Sequence, residues 1–492
     1  MKSSKILFFI FLVIALLTFV SFIFPEEGIE IGKHRLFFPT MEEIMIREKS
    51  QSAGEKMRAL EESLRMQFYQ DSVATAEKLA YEDSLQFYTR FFENHASRIY
   101  LPKNDYLFFD SFFQEIESAK NNNEIIHILH YGDSQIESDR ITAFFRQKLQ
   151  ETFGGEGVGL IPIVQPIPTV SIGQTASENI QRFTVAGSHR NRANHRRYGI
   201  LGQVGHIYGG GSVSVNSRDW KNTFENVKEF SKVRVFINNN SPEFSIALTP
   251  SQQDPIIKTI AEANSGMSVL TWNFPDPIRR FSLKISGTAE ITGISLDGDS
   301  GLTVDNIPLR GSSGTFFSEI DSLSMASMMD ELHVRLIILQ FGGNMMPSLN
   351  GEKSIQAYKE KIGKQIAYFY QICPDAKILF VGPSDMSKKI NGRLQTYPHL
   401  KATVDALKEV ALENDAAFWD VFQVMGGENS MIEWVNNKPA LATPDYIHFT
   451  NRGADRIAEI LYESLMIYYD YYRFVNSSGK SEQVDEPITI AQ

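Results

Sequence analysis

Three short stretches of this 492-residue chain carry side chains whose combination can perform acyl transfer. Gly132-Asp133-Ser134 supplies a hydroxyl. Asp445-Tyr446-Ile447-His448 supplies an imidazole with a carboxylate three residues before it, and Phe341-Gly342-Gly343-Asn344 supplies a carboxamide. A serine hydroxyl is a weak nucleophile until a base takes its proton. Histidine suits that task near neutral pH, and a carboxylate can fix its tautomer. A side-chain amide can hydrogen-bond the oxyanion of a tetrahedral intermediate. Ser134 is therefore the candidate nucleophile, His448 the base, Asp445 the orienting acid and Asn344 an oxyanion donor.

The pieces need a scaffold that brings them to one edge. EIIHILHY, before Gly132, is a short apolar run rich in β-branched residues, and ESDRITAFFRQKLQETF after Ser134 has helical period, a strand–turn–helix unit. At such a turn the serine amide is expected at a helix N-terminus, favourable for an oxyanion. After residue 320 the alternation returns: SLSMASMMDEL (helix), VRLIILQF (strand), SIQAYKEKIGKQIAYFYQIC (helix), AKILFVG (strand), LKATVDALKEVALEND (helix), AAFWDVF (strand) and GADRIAEILYESLMIYYDYY (helix). Alternating strands and helices imply a parallel sheet covered on both faces, with ligands at the strands' carboxyl ends, where all three pieces fall. Thr450 or Asn451 is positioned to cap the last helix. Between these blocks SVSVNS, KVRVFINN, EFSIALTP, MSVLTW, FSLKIS and EITGISL alternate with period two, the mark of an all-β sandwich or jelly-roll insertion.

Two repeats of the same letters test the assignment. Asp299-Ser300 follows a strand of the β module and runs into GLTVDNIP, which cannot start a helix. Asp330-Glu331-Leu332-His333 precedes VRLIILQF, so His333 falls at the amino edge of the sheet, a helix-end cation.

Four blocks in order, GDS at Ser134, a glycine block, G-x-N at Asn344 and D-x-x-H at Asp445 and His448, resemble the SGNH (or GDSL) hydrolase superfamily. They are spread over residues 124 to about 470, leaving out the insertion. The resemblance implies an α/β, three-layer flavodoxin-like domain and a serine esterase that needs no metal or organic cofactor. It also implies an oxyanion hole made by the backbone N–H of Ser134, the N–H of Gly311 in VDNIPLRGSSG (Gly314 as the fallback) and the Asn344 side chain. The chain departs from the pattern at GDSQ in place of GDSL, at Met345 after the asparagine and at Pro308 before the glycine block. Members with a β module between the GDS and glycine blocks resemble peptidoglycan O-acetylesterases, and the resemblance implies an acetylated glycan as substrate. Membrane-anchored members also act as O-acetyltransferases with a multi-pass membrane acyltransferase as partner, an alternative these residues do not separate from hydrolysis. An inactive wall-binding protein is the third reading, and it predicts an incomplete residue set.

The expected organisation is 1–25 a transmembrane signal anchor, 26–100 a helical spacer, 101–154 the first part of the hydrolase domain, 155–299 the β module, 300–475 the second part, and 476–492 a disordered tail. Lys2 and Lys5 precede the uncharged run Ile6–Phe24, with Glu26 and Glu27 after it. This implies a cytoplasmic N-terminus and a catalytic domain on the periplasmic side, or an exported one if the segment is a cleaved signal peptide. Met57, Leu60, Leu64 and Phe68 recur at helical spacing in the spacer. With 48 Lys plus Arg against 59 Asp plus Glu, a net charge of −11, the chain is not composed as a nucleic-acid binder. The single Cys373 excludes an internal disulfide framework. Arg190, Arg192, Arg196 and Arg197 form either a solvated loop or a contact for an anionic polymer. Trp220 and Trp272 are read as core before sugar-stacking residues, YGGGSV as a turn, Asp385 as a residue near the site edge without a role, and the remaining histidines as lacking metal-ligand spacing. If the β module serves only binding, deleting about 160–295 is expected to spare hydrolysis of a small ester.

Overall fold

The computed structural model describes residues 3–25, 29–31, 34–36, 38, 81–186, 191–219 and 223–477. Met57, Leu60, Leu64, Phe68, Arg190, Trp220 and the tail beyond Ser477 lie outside them. The chain divides into two units, Met1–Gln86 and Phe87–Gln492. In the first, α1 (Ser3–Ile23) is followed by the antiparallel pair β1 (Ile29–Ile31) and β2 (His34–Leu36). Among the described residues no helix is long and apolar enough to cross a membrane. The anchor therefore rests on the sequence run Ile6–Phe24.

The second unit is built on one six-stranded sheet. Its strands are β3 (Ile99–Tyr100), β4 (Ile125–Gly132), β16 (Gly301–Pro308), β17 (Val334–Gln340), β18 (Lys377–Val381) and β21 (Ala417–Trp419), in the spatial order β16-β4-β17-β18-β21-β3. All pairs are parallel except β3 with β21. Setting β3 aside, this is the 2-1-3-4-5 order of doubly wound flavodoxin-like sheets, whose switch point lies between the first and third strands. Here those strands are β4 and β17. Every residue of β4 is buried, as expected of a strand covered on both faces. On one face the Thr142 hydroxyl of α3 (Arg140–Phe153) lies 3.0 Å from His130 Nδ1. On the other, the Tyr131 ring meets Phe369 of α5 (Glu352–Ile372) at 5.6 Å. α5 buries Ile355, Tyr358, Ile362, Ile366 and Phe369 at helical spacing, each large apolar side chain worth about 1.5–3 kcal/mol.

Between α3 and β16 the chain forms a sandwich. One sheet has the order β13-β10-β15-β8-β7, with β5 added to β15; the other runs β12-β11-β14-β9-β6, and all pairs are antiparallel. The strands are β5 (Gly159–Ile161), β6 (Ile172–Ala176), β7 (Ile180–Thr184), β8 (Gln203–Ile207), β9 (Gly210–Ser217), β10 (Phe230–Asn240), β11 (Phe244–Pro250), β12 (Ile256–Ile260), β13 (Asn264–Ile278), β14 (Arg280–Ser286) and β15 (Ala289–Asp297). β14 alternates strictly between exposed and buried residues, whereas β15 is buried throughout. The difference has a cause. The β15 sheet packs one face into the sandwich and the other against the α/β domain, where Leu160, Val185, Leu201 and Phe236 share a core with Tyr131, Leu309 and Met328. Arg234 on β10 reaches across to Asp297 at 3.0 Å and to His127 on β4 at 3.1 Å. Deleting residues 160–295 would therefore strip one face of this shared core, which favours the alternative that the insertion helps build the α/β domain.

Other boundaries also shift. Ile99–Tyr100 belongs to the main sheet, and Phe92 on the preceding helical turn stacks on Tyr468 of α9 (Asn451–Ser477) at 4.8 Å. The spacer therefore ends before residue 100. α9 runs on through residues 476–477, beyond the expected end of the domain at 475. GLTVDNIP is strand β16, its apolar alternation masked by the buried Thr303 and Asp305. The turn read at YGGGSV is confined to Tyr208 and Gly209, because β9 begins at Gly210. Trp272 is a core residue whose indole N–H donates to the Ile256 carbonyl.

Candidate active site

Register places the site. Gly132 of β4 lies opposite Pro308 of β16 and Gln340 of β17, so the three strands end level and their exits lie side by side. Ser134 leaves the first, Gly311 the second and Asn344 the third. The fourth contribution comes from the turn before α9. Gly453 lets α9 approach that turn, since a Cβ there would stand 1.9 Å from the Leu441 carbonyl oxygen. The Thr450 hydroxyl accepts from the Gly453 amide and caps the helix.

At this edge His448 Nε2 is 2.8 Å from Ser134 Oγ, and His448 Nδ1 is 2.7 Å from Asp445 Oδ2. The second Asp445 oxygen accepts from the Ile447 and His448 amides at 3.0 and 3.1 Å and from the Thr443 hydroxyl at 2.6 Å. Partial burial would raise the Asp445 pKa, but the hydrogen bonds from Thr443, His448 and Ile447 outweigh it and hold the carboxyl at about 2. An ionised Asp445 on Nδ1 keeps that nitrogen protonated, leaving Nε2 to accept the serine proton. The three residues thus form a hydroxyl–imidazole–carboxylate relay, with Ser134 and His448 lining a cleft of about 180 Å³.

Oxyanion donors are less simply placed. Both Asn344 amide hydrogens are engaged, one by Asp133 Oδ2 at 3.0 Å and the other by the Ser312 carbonyl at 3.1 Å. The side chain lines the cleft, but it has to exchange one of these bonds to serve an oxyanion. Gly311 lies in the loop after β16 with φ 73°, between Arg310, which pairs with Glu137, and Ser312. Neither Gly311 nor Gly314 lines the cleft. Gly314 has a packing reason instead, because a Cβ there would come within 2.6 Å of the Phe341 ring. The helix expected directly after Ser134 begins only at Arg140, beyond a 3-10 turn over Glu137–Asp139. A helix N-terminus at the serine amide is therefore corrected.

Residues that sequence reasoning passed over hold the two halves together. Gln135 donates to the Ile447 carbonyl at 2.6 Å and accepts from the Phe449 amide at 3.3 Å, gripping the backbone on both sides of His448. Arg140 donates to the Ser134 and Phe449 carbonyls. The departure from GDSL at Gln135 was the available signal: a polar residue stands where an apolar one is usual. Asp133 is buried between these groups. Burial pushes its carboxyl up to about 6, against the opposing pull of the Gln135 amide, His448, Asn344 and Arg140.

The decoys fall elsewhere. Ser300 immediately precedes β16 and His333 precedes β17, both at the amino edge of the sheet. Asp385 is buried and accepts from the Thr396 hydroxyl and the Met431 amide, a bracing role outside the relay. Arg196 holds the Ser318 and Glu319 carbonyls, so it is not a freely solvated cation. Although no ligand spacing marks them in the sequence, His195, His206 and Glu290 converge in space from separate segments.

No family model and no curated protein sequence matches the chain. Among solved structures it is similar to a peptidoglycan O-acetylesterase at 22% identity, with a TM-score of 0.59, covering 74% of this chain and 96% of the other. A family two carbohydrate esterase from Cellvibrio japonicus matches at 11% identity and a TM-score of 0.24, covering 61% of this chain and 99% of the other. A GDSL-like lipase from Parabacteroides merdae matches at 15% and 0.27, covering 34% and 74%. The first likeness, at a TM-score of 0.59 and 22% identity, shows the fold alone.

Proposed function

We propose that the chain is a serine esterase that removes O-acetyl groups from a cell-envelope polysaccharide or peptidoglycan. The observation that carries this reading is the relay from Ser134 through His448 to Asp445 at 2.8 and 2.7 Å. The peptidoglycan O-acetylesterase that shares the fold supports the substrate class.

In the proposed reaction Ser134 Oγ attacks the acetyl carbonyl carbon while His448 Nε2 takes the hydroxyl proton. The carbonyl electron pair moves onto oxygen, which is held by the Ser134 amide, by Asn344 once its side chain gives up the Ser312 carbonyl, and by the Gly311 amide only if the loop after β16 closes over the cleft. The tetrahedral intermediate then collapses. The bond to the sugar oxygen breaks, and His448 passes its proton to that oxygen. Water, deprotonated by His448, next attacks the acetyl-enzyme; acetate leaves and Ser134 recovers its proton. The chain's own residues supply every proton transfer.

A second cleft, of about 280 Å³, flanks the nucleophile turn through Glu137 and Ser138 and is walled by the insertion through Arg182 and Gln203. Its mixed polar and apolar lining suits a glycan strand lying across the mouth of the site. We place the domain outside the cytoplasm, carried by the uncharged run Ile6–Phe24. In protease treatment of intact spheroplasts, complete protection of the chain would overturn export.

The deciding experiment incubates the full chain with O-acetylated glycan and measures released acetate. Ser134→Ala is expected to abolish most turnover, by several orders of magnitude. Full activity in that variant would refute the assignment. Acetate that moves only onto an added sugar acceptor, and not to water, would replace hydrolysis by O-acetyl transfer.

A further inference from the structure

His206 on β8 and Glu290 on β15 face one another across a strand pair, and His195, from the irregular segment before β8, folds over them. His195 Nε2 and His206 Nε2 are 3.3 Å apart. Glu290 Oε1 is 3.1 Å from the first and 3.5 Å from the second. Ligands held ~2.0–2.1 Å from a tetrahedral ion stand about 3.3 Å from one another, and all three edges of this triangle meet that spacing. The other Glu290 oxygen is buried and takes no hydrogen bond, in a side chain only 8% exposed. Among the described residues the only charge near that oxygen is the Arg197 guanidinium at 3.9 Å, beyond hydrogen-bond reach, while Oε1 also accepts from the Asn239 side chain at 3.3 Å.

From this geometry we infer that His195, His206 and Glu290 bind a divalent transition-metal ion of the zinc class, with a fourth position left for water. Two imidazoles and one carboxylate favour zinc over calcium or magnesium, which prefer oxygen ligands. The site is separate from the relay and serves structure. It would tie β8 and β15 to the segment that carries Asn191, a lining residue of the second cleft, and Arg196, whose carbonyl accepts from the Asp321 amide. Two groups of Arg197 set the conditions. The Arg197 guanidinium lies 3.9 Å from Glu290 Oε2, and its charge opposes a cation. The Arg197 amide donates to His195 Nδ1 at 3.1 Å, which without the ion leaves the His195 proton on Nε2, facing Glu290. With the ion on Nε2 that proton sits on Nδ1, and the Arg197 amide has to turn away. Binding therefore reorganises residues 195–197.

The test strips the full chain of metal with a chelator and titrates it with zinc alone, then with cobalt as a spectroscopic probe. One zinc per chain and the visible bands of tetrahedral cobalt are expected, with faster amide exchange at Arg197 once zinc is present. Glu290→Gln and His206→Gln should each weaken binding by at least about tenfold, judged against the 10–100-fold costs of disturbing ligand orientation. Both should keep the folded-state circular dichroism and the Ser134-dependent hydrolysis of a small aryl acetate. If His206→Gln fails to fold, His195→Asn decides, because that side chain lies outside the strands. A folded wild-type chain that retains no zinc would overturn the inference and leave two imidazoles hydrogen-bonded to one carboxylate. Undiminished binding in the variants would overturn it equally, by placing the ion elsewhere.

Discussion

Asp445→Asn is the sharpest probe of the relay, because the structure dictates how the new amide must sit. One Asp445 oxygen is surrounded by three donors, the Ile447 and His448 amides and the Thr443 hydroxyl. In the variant the carboxamide oxygen has to take that position, since an NH2 group there would face three hydrogens. The NH2 then points at His448 Nδ1, 2.7 Å away in the native chain. Nδ1 must become the acceptor, so the imidazole proton moves to Nε2 and faces Ser134 Oγ. A base that already holds a proton on the reacting nitrogen cannot take another without becoming an imidazolium with nothing to stabilise it. The tautomeric error in a comparable relay costs about 10⁴ in kcat, or ~5.5 kcal/mol of barrier at ~1.36 kcal/mol per tenfold. The loop should survive, because three of the four hydrogen bonds persist. The assay compares kcat for acetate release and the thermal midpoint in the two proteins. A fall of about four decades with a small change in midpoint is expected. A kcat within tenfold of wild type would refute the claim that Asp445 sets the tautomer of His448.

Asn344→Ala should lower kcat by about 10–100-fold: losing one oxyanion donor costs ~2.7–4 kcal/mol, less the ~1 kcal/mol already spent in exchanging the Ser312 hydrogen bond. A loss beyond 10³ in acetate release would mean that the amide is free in the reacting state. Gln135→Leu leaves the Ile447 carbonyl and Phe449 amide without their partner, so kcat should fall about tenfold while KM for a small ester changes little; an unchanged kcat would deny Gln135 its positioning role. Asp133 titrates at about 6, above the ordinary carboxylate value, so its stabilising contribution is complete below pH ~4 and is lost as pH rises through 6. In denaturant titrations, wild type should therefore lose stability relative to Asp133→Asn between about pH 4 and 6, and parallel curves would refute the raised value.

How much could be read beforehand depended on whether a residue's partners were near it in sequence. β4 and β17 are buried on both faces, so their apolar runs announced themselves, and the D-x-x-H turn carries its own geometry in four residues. β16 stayed hidden because Asp305 and Thr303 break its pattern: they are buried only because His127 and the Leu160 amide meet Asp305 from distant segments. The same holds for the shared core. Nothing local in Phe236 or Leu160 says which side of the strand faces the hydrolase domain. Strand pairing joins His206 and Glu290, 84 positions apart, and His195 reaches them from outside the strands, a distance no ligand-spacing rule spans. The engagement of both Asn344 hydrogens is likewise a property of the assembled loops and of no motif.

The Ser134 and His448 side chains that meet at the strand exits are 314 positions apart. Closing so long a segment carries a large entropic cost, which only the completed core can offset. The nucleophile emerges early in synthesis and its base almost at the end. Until the turn carrying His448 closes on it, Ser134 is an ordinary hydroxyl without this acceptor. The order of the chain thus acts as a safeguard in time: a fragment ending before Asp445 lacks both the acid and the base of the relay.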